Sequence, residues 1–280
     1  MFGRLSFKKW VLLPALLMVS AALTTGCAER SADTMQPTTK AEDVTLTVFA
    51  AASLTGAFTE IGSQFDAVNP GVTTIFNFAG SNQLATQINE GAPVDVFASA
   101  NHAQLDVVVE SGMVDANAPA VFVTNRLIVV IPADNPGQIE SLQDLATPGI
   151  LLVLAAEEVP VGRYSLEFLD RASADPAFGA SFREDVLANL VSYEENVRGV
   201  LNKVTLGEAD AGIVYTSDLI GVDGVASVEI PERLNLLAEY PIATLSESAN
   251  PSAAAAFVDY VLSDAGQAVL ANYGFGPATP

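Results

Sequence analysis

A strand that runs directly into a helix through small residues is the feature that most constrains the fold of this chain. Residues 45–49, TLTVF, are β-branched or large and apolar, which is typical of a buried strand. From Leu54 to Phe65 apolar residues recur at spacings of 4, 3 and 4, which predicts one face of an α-helix. Ser53 lies at the junction, where a helix N-cap belongs. Free N–H groups and a hydroxyl at such a junction suit an anion, but an ordinary capping serine is the simpler interpretation of this stretch alone.

The same arrangement returns further along the chain. Residues 72–78 predict a second strand, and after an alanine and a glycine a helix begins at Ser81 or Asn82 and ends near Asn89. The alternation continues towards the C-terminus, which predicts an α/β fold with parallel strands and helices on both faces of the sheet. Ligands of such sheets bind beyond the carboxyl ends of the strands, and Ser53 and Ser81 are both placed there.

Two interruptions of the alternation divide the chain. Residues 132–136 end a continuous apolar strand, and the chain returns near Leu236. We therefore predict two α/β lobes, residues 44–131 with 236–280 and residues 132–235, joined by two crossings that form a hinge. The strand predicted at residues 240–245 carries Pro241, which indicates a sheet edge or a strand start.

Composition and charge exclude several classes of site. The 280 residues are 50% hydrophobic and 16% charged, so the chain can form a large core, and its net charge is −21. No basic patch is present to bind nucleic acid, and any anionic ligand must be held by local dipoles against an unfavourable overall field. The chain has one cysteine and one histidine, which excludes an internal disulfide and a metal site rich in these residues.

An exported hydrolase is the alternative from another functional class. Its nucleophile would be Ser53 or Ser81, and its base would have to be His102, the only histidine. The G-x-S-x-G sequence of α/β-hydrolases does not occur, which disfavours this interpretation. We expect His102 to be a surface residue at the start of a helix.

The N-terminus has the pattern of an export signal. A basic start precedes an apolar run at residues 10–23, which Pro14 interrupts and which is shorter than the ~20 residues of a bilayer span. We predict a signal peptide at residues 1–26, with Cys27 as the lipidated first residue of the mature chain, or plain secretion as the alternative. Residues 27–43 are small and polar, which predicts a flexible tether. Removal of the leader takes away three basic residues and lowers the net charge from −21 to −24.

Five segments, in this order, resemble the signature segments of the molybdate-binding proteins of bacterial ABC importers. They are VFAAASLTGAF, FAGSNQLATQINEGAPVDVFASA, AEEVPVGRY, YEENVRGVL and ADAGIVYTSDL. The resemblance covers residues 44–275. It implies the type II periplasmic-binding-protein fold, in which two Rossmann-like lobes are joined by two crossover strands and clasp a tetrahedral oxyanion between them.

The resemblance also implies which residues contact the ligand. Ser53 and Ser81 would donate through their hydroxyls, Val161 and Val197 through their backbone N–H groups, and Tyr215 through its phenol. Molybdenum would be bound only as the oxyanion, with no direct protein ligand to the metal and no cofactor. Val161 stands where the family usually has alanine, which leaves the backbone donor and adds bulk to the pocket wall.

This donor set suits molybdate chemically. The ion is a dianion with four acceptor oxygens and no proton near neutral pH, so its site needs hydrogen-bond donors only. The five positions include no carboxylate to accept a proton from hydrogen phosphate, which disfavours phosphate but does not separate molybdate from tungstate or sulfate. We expect Arg163 and Arg198 to form salt bridges with glutamates near the lobe surfaces rather than to clamp the anion.

The sequence therefore predicts a binding protein rather than an enzyme. It would capture molybdate, and also tungstate, outside the cytoplasmic membrane as a lipid-anchored monomer, and deliver it to an ABC permease and its ATPase. A protein of the same fold for another oxyanion, sulfate or tungstate, is the alternative.

Overall fold

The computed structural model describes residues 43–278. The first element in this range is strand β1, Val44–Ala51. It continues through a 3₁₀ turn at Ala52–Leu54 into helix α1, Thr55–Val68, so the predicted strand-to-helix junction is confirmed. The predicted signal peptide, the lipidation site at Cys27 and the tether up to residue 42 lie outside the described residues.

The remaining elements follow the predicted alternation. The strands described after β1 are β2 Val72–Ala79, β3 Val96–Ala98, β4 Ala120–Pro132, β5 Leu152–Ala155, β6 Leu190–Glu194, β7 Ala211–Tyr215, β8 Val225–Glu229, β9 Leu237–Thr244 and β10 Gly276–Pro277. The helices are α2 Ser81–Asn89, α3 His102–Glu110, α4 Pro160–Ala174, α5 Phe182–Leu187, α6 Val197–Thr205, α7 Pro251–Leu262 and α8 Asp264–Asn272, with 3₁₀ turns at Leu142–Ala146 and Thr216–Leu219. Within residues 43–278 none of these helices combines the length and the apolar composition needed to cross a membrane.

Strand β4 connects two groups of parallel strands. In the order β2-β1-β3-β9-β4-β7-β5-β6, strands β2, β1 and β3 are parallel to one another, as are β7, β5 and β6. Residues 120–126 of β4 pair antiparallel with β9, and residues 127–132 pair antiparallel with β7 and β8. The partners of β4 thus change after Arg126, while the predicted lobe limits at residues 131 and 236 stay a prediction.

The predicted position of the proline-bearing strand is wrong. Strand β9 lies between β3 and β4 and pairs with both, and Pro241 is its fifth residue. The pairing with β4 shifts between Val121 and Val123, so an extra residue opposite the proline forms a bulge. A bulge is a position where a strand tolerates a residue without an N–H donor, which explains how a proline fits inside this sheet.

The helices that meet the carboxyl ends of the strands are held by their apolar faces. Helix α1 buries Phe58, Ile61 and Phe65, and the rings of Phe58 and Phe65 both pack edge-on against Phe257 of α7. Burying an aromatic side chain of this size contributes roughly 1.5–3 kcal/mol, so the position of α1 is fixed by packing. The start of the helix is therefore held at the end of β1.

Candidate anion-binding site

A single cavity brings together all five residues that the sequence predicts as ligand contacts. The predicted residues that line it are Ser53, Ser81, Val161, Val197 and Tyr215, and the other lining residues are Ala51, Ala52, Ala79, Gly80, Ala100, Val159, Pro160 and Asn196. None of these lining residues carries a formal charge, so attraction for an anion must come from hydrogen-bond donors and helix dipoles.

Starts of helices surround the cavity. Ser53 lies in the 3₁₀ turn that leads from β1 to α1, and Ser81 is the first residue of α2. Val161 and Val197 lie in the first turns of α4 and α6. The first N–H groups of a helix have no intrahelical acceptor, and the helix dipole makes this end partly positive, by about half an elementary charge. Such ends are suited to an anion.

Neither serine is a helix cap, so the simpler interpretation of Ser53 and Ser81 is wrong. The residues at the cap positions are Ala51 before the 3₁₀ turn and Gly80 before α2, and no side-chain capping bond forms at either. The hydroxyl of Ser81 accepts a hydrogen bond from the backbone N–H of Ala100 at 3.0 Å. Because that N–H can only donate, the hydroxyl proton of Ser81 remains available to an acceptor in the cavity.

The two valines contribute backbone rather than side chain. The side chains of Val161 and Val197 belong to the hydrophobic core. At α4 no side chain caps the first turn, and Pro160 at its start fixes a helical φ. At α6 the side-chain oxygen of Asn196 accepts the N–H of Gly199 at 3.1 Å and leaves the N–H of Val197 to another acceptor. Both helix starts therefore retain donors.

Tyr215, at the end of β7, holds a phenol in a fully buried position. Its side chain is 1% exposed, and its hydroxyl oxygen makes no hydrogen bond within residues 43–278. Burial raises the pKa of Tyr215 well above its ordinary value, so the phenol keeps its proton at neutral pH and is a hydrogen-bond donor. A buried hydroxyl without a partner is costly, which favours a ligand that accepts from it.

Arg198 does not pair with the neighbouring glutamates as the sequence predicted. Its Nε lies 3.6 Å from Oδ1 of the buried Asp218 and 3.4 Å from the carbonyl oxygen of Ala52, a residue of the cavity lining. The other carboxylate oxygen of Asp218 accepts the backbone N–H of Tyr215 at 3.0 Å. Burial raises the pKa of Asp218 to about 6, against the opposing effect of Arg198. For Arg163, the described residues record no ion pair.

His102 is a surface residue, as predicted. Its side chain is 48% exposed, and its Nε2 lies 3.3 Å from a carboxylate oxygen of Glu239. It does not line the cavity that contains Ser53 and Ser81. The base that a serine hydrolase would need is therefore absent from the lining of this cavity.

Comparisons with known proteins agree with the geometry. A family model described as bacterial extracellular solute-binding protein matches residues 46–276. The molybdate-binding protein ModA of Mycobacterium tuberculosis strain H37Rv is 40% identical over 264 residues, which cover 94% of this chain and 95% of the relative. The protein of the same name from Escherichia coli K12 is 36% identical over 242 residues, covering 84% and 90%.

A solved structure extends the comparison to the fold. The sulfate-binding protein SubI of Mycobacterium tuberculosis H37Rv matches 85% of this chain and 88% of its own with a TM-score of 0.76 and 21% identity. This likeness is one of fold, and it confirms the predicted type II periplasmic-binding-protein architecture. The family match over most of the chain, with relatives above 30% identity, shows that the chain belongs to the bacterial extracellular solute-binding proteins, in the family that includes the molybdate-binding protein ModA.

Proposed function

We propose that this protein captures molybdate between two lobes outside the cytoplasmic membrane and delivers it to an ABC permease and its ATPase. The observation that carries the proposal is the common cavity of Ser53, Ser81, Val161, Val197 and Tyr215. Those five positions offer hydroxyls, a phenol and helix-start N–H groups, all of which donate to a tetrahedral dianion. The names of the 40% and 36% identical relatives support the same ligand.

The lining of the cavity disfavours a protonated anion. Hydrogen phosphate needs an acceptor for its proton, and no carboxylate is among the lining residues. Asp218 is close in the chain to Tyr215, but it is engaged by the N–H of Tyr215 and by Arg198. Sulfate and tungstate carry no proton at neutral pH and satisfy the same donors, and the fold likeness to a sulfate-binding protein makes sulfate the second candidate.

A panel of oxyanions tests this proposal with the mature chain. A ligand that binds only the folded state stabilises it by about 2.7 kcal/mol at one hundred times its Kd, so the melting temperature rises. We expect molybdate and tungstate to raise the melting temperature strongly, sulfate less and phosphate not at all. Calorimetry then gives the Kd values. A shift with sulfate alone would replace molybdate by sulfate, and no shift with any oxyanion would overturn the proposal.

We also propose that the protein is a monomer held at the extracytoplasmic side of the membrane by a lipid on Cys27. The isolated cysteine directly after the apolar leader supports this anchor. Cys27→Ser should move the protein from membrane to soluble fractions in cells that export it. Continued membrane association of that variant would instead indicate an uncleaved leader as the anchor.

A further inference from the structure

A buried chain of hydrogen bonds lies behind Ser53. The hydroxyl of Ser53 is 3.0 Å from the hydroxyl of Tyr240 on β9, and the side-chain nitrogen of Asn125 on β4 is 3.4 Å from that same phenol oxygen. Tyr240 and Asn125 are 0% and 2% exposed, and neither lines the cavity. Tyr240 therefore reaches the cavity indirectly, through the hydroxyl of Ser53 and through the ring of Tyr215.

The direction of this chain is fixed at its far end. The side-chain oxygen of Asn125 accepts the backbone N–H of Arg126 at 3.0 Å and the hydroxyl of Thr216 at 3.0 Å. A backbone N–H can only donate, so the amide of Asn125 must present its oxygen to Arg126 and its NH₂ group to the other side. That NH₂ group donates to the hydroxyl of Ser217 at 2.7 Å and to the phenol of Tyr240.

The contact between the two hydroxyls allows either one to donate. Because the phenol oxygen already accepts from Asn125, the arrangement favours Tyr240 as the donor to Ser53, which would turn the proton of Ser53 towards the cavity. Edge-to-face contacts with Phe122, Tyr215 and Phe275 hold the ring in place. Burial also raises the pKa of Tyr240, so its proton is present at neutral pH.

We propose that Tyr240 is a positioning residue of the anion site, which holds the Ser53 hydroxyl as a hydrogen-bond donor to the bound oxyanion. The inference rests on the proposed function, because it concerns the same cavity. It assigns a role to a residue that does not touch the ligand. A free serine hydroxyl would rotate among its staggered positions, whereas this one is aligned before the ligand arrives.

The test is a double-mutant cycle measured by calorimetry with the oxyanion that binds the wild type most tightly in the panel. Tyr240→Phe removes only the hydroxyl and should weaken binding about tenfold. Tyr260→Phe is the matched control, since its phenol donates to Gln64 at 3.0 Å and does not line the cavity. The control should bind like the wild type.

The cycle distinguishes alignment of Ser53 from general damage to the site. In the Ser53→Ala background, Tyr240→Phe should have no further effect, because the hydroxyl that it aligns is absent. Equal weakening by Tyr240→Phe in both backgrounds, or wild-type affinity in the single variant, would overturn the role. Melting of the ligand-free variants verifies their folding.

If Tyr240→Phe does not fold, a second variant tests the same chain of hydrogen bonds. Asn125→Asp replaces the NH₂ donor by an acceptor, so the phenol of Tyr240 donates to residue 125 instead of Ser53. Its binding should also weaken about tenfold, and unchanged binding would overturn the role. If the wild type binds none of the oxyanions, the proposed function fails first and the role of Tyr240 falls with it.

Discussion

The two sides of the cavity offer the same chemistry by different means. Ser53 and Ser81, the serine wall, present side-chain hydroxyls, whereas Val161 and Val197, the amide wall, present backbone N–H groups at helix starts. A single side-chain truncation can delete a donor of the serine wall but leaves every donor of the amide wall in place. If the walls hold the anion as proposed, a residue of the amide wall matters through its backbone position, and its side chain can be replaced.

We expect the largest loss of molybdate binding when a side chain is added at Gly162, next to Val161 of the amide wall. A Cβ at Gly162 would collide with the carbonyl oxygens of Ala155 and Ala156, so Gly162→Ala must displace the first turn of α4. We expect no measurable molybdate binding by calorimetry and a lower melting temperature of the free protein. Wild-type binding would show that the first turn of α4 supplies no essential donor.

Asp218 supports the cavity from behind Tyr215 and gives a pH-dependent effect. Its pKa rises from the ordinary 3.8 to about 6 on folding, so the folded state binds its proton more tightly than the unfolded state. The stability contributed by Asp218 is present below pH 3.8 and is lost as the pH rises through about 6.

Comparison with Asp218→Asn isolates this contribution from the other carboxylates. Between pH 4 and 7 the wild type should lose about 2.5 kcal/mol of unfolding free energy relative to the variant, and then no more. Denaturant titrations at several pH values give the difference. A constant difference across this range would mean that Asp218 titrates alike in the folded and unfolded chain.

Ser81→Ala tests the serine wall directly. It removes a donor to the anion and leaves the N–H of Ala100 without its acceptor, so binding should weaken by about 2 kcal/mol. Ser111→Ala is the control, because its hydroxyl bonds Asn89 at 2.8 Å outside the cavity lining. Equal Kd values for Ser81→Ala and the control would remove Ser81 from the site.

The smallest effect on binding is expected at Val161. Val161→Ala keeps the backbone N–H and loses two buried methyl groups, which costs about 1.5 kcal/mol of stability. Its Kd for molybdate should change by less than about threefold. A loss comparable to that of Ser81→Ala would show that the valine side chain, and not only its N–H, shapes the site, and the contrast between the walls would fail.

The order of strands and helices was predictable because apolar periodicity and small-residue junctions are local signals. The first half of β4 was not predicted: residues 120–126 contain Thr124, Asn125 and Arg126, which weaken the apolar pattern. Asn125 is nevertheless buried, because Ser217 and Thr216, some ninety residues away, satisfy its amide. Partners this distant leave no periodicity in the sequence.

The order of the five family-like segments led to the five cavity residues. It did not lead to the residues that support them. Tyr240 contacts Ser53 across 187 positions, and Asp218 accepts the N–H of Tyr215 across 3 positions. The contact of Tyr240 has no characteristic spacing, whereas Asp218 stands three residues after Tyr215, the spacing of a capping box, and this signal was missed. The interpretation of Ser53 and Ser81 as ordinary helix caps was wrong for a related reason, since tertiary partners engage both hydroxyls.

The shared strand β4 sets a limit on how this protein can evolve. Its residues 120–126 pair with β9, and residues 127–132 pair with β7 and β8, without a loop between them. Side chains alternate between the faces of a strand, so a one-residue insertion at the exchange would invert every side chain of one half relative to the other. Such an insertion would need a compensating bulge, like the one between Val121 and Val123, so we expect length changes in the surface turns rather than at this exchange.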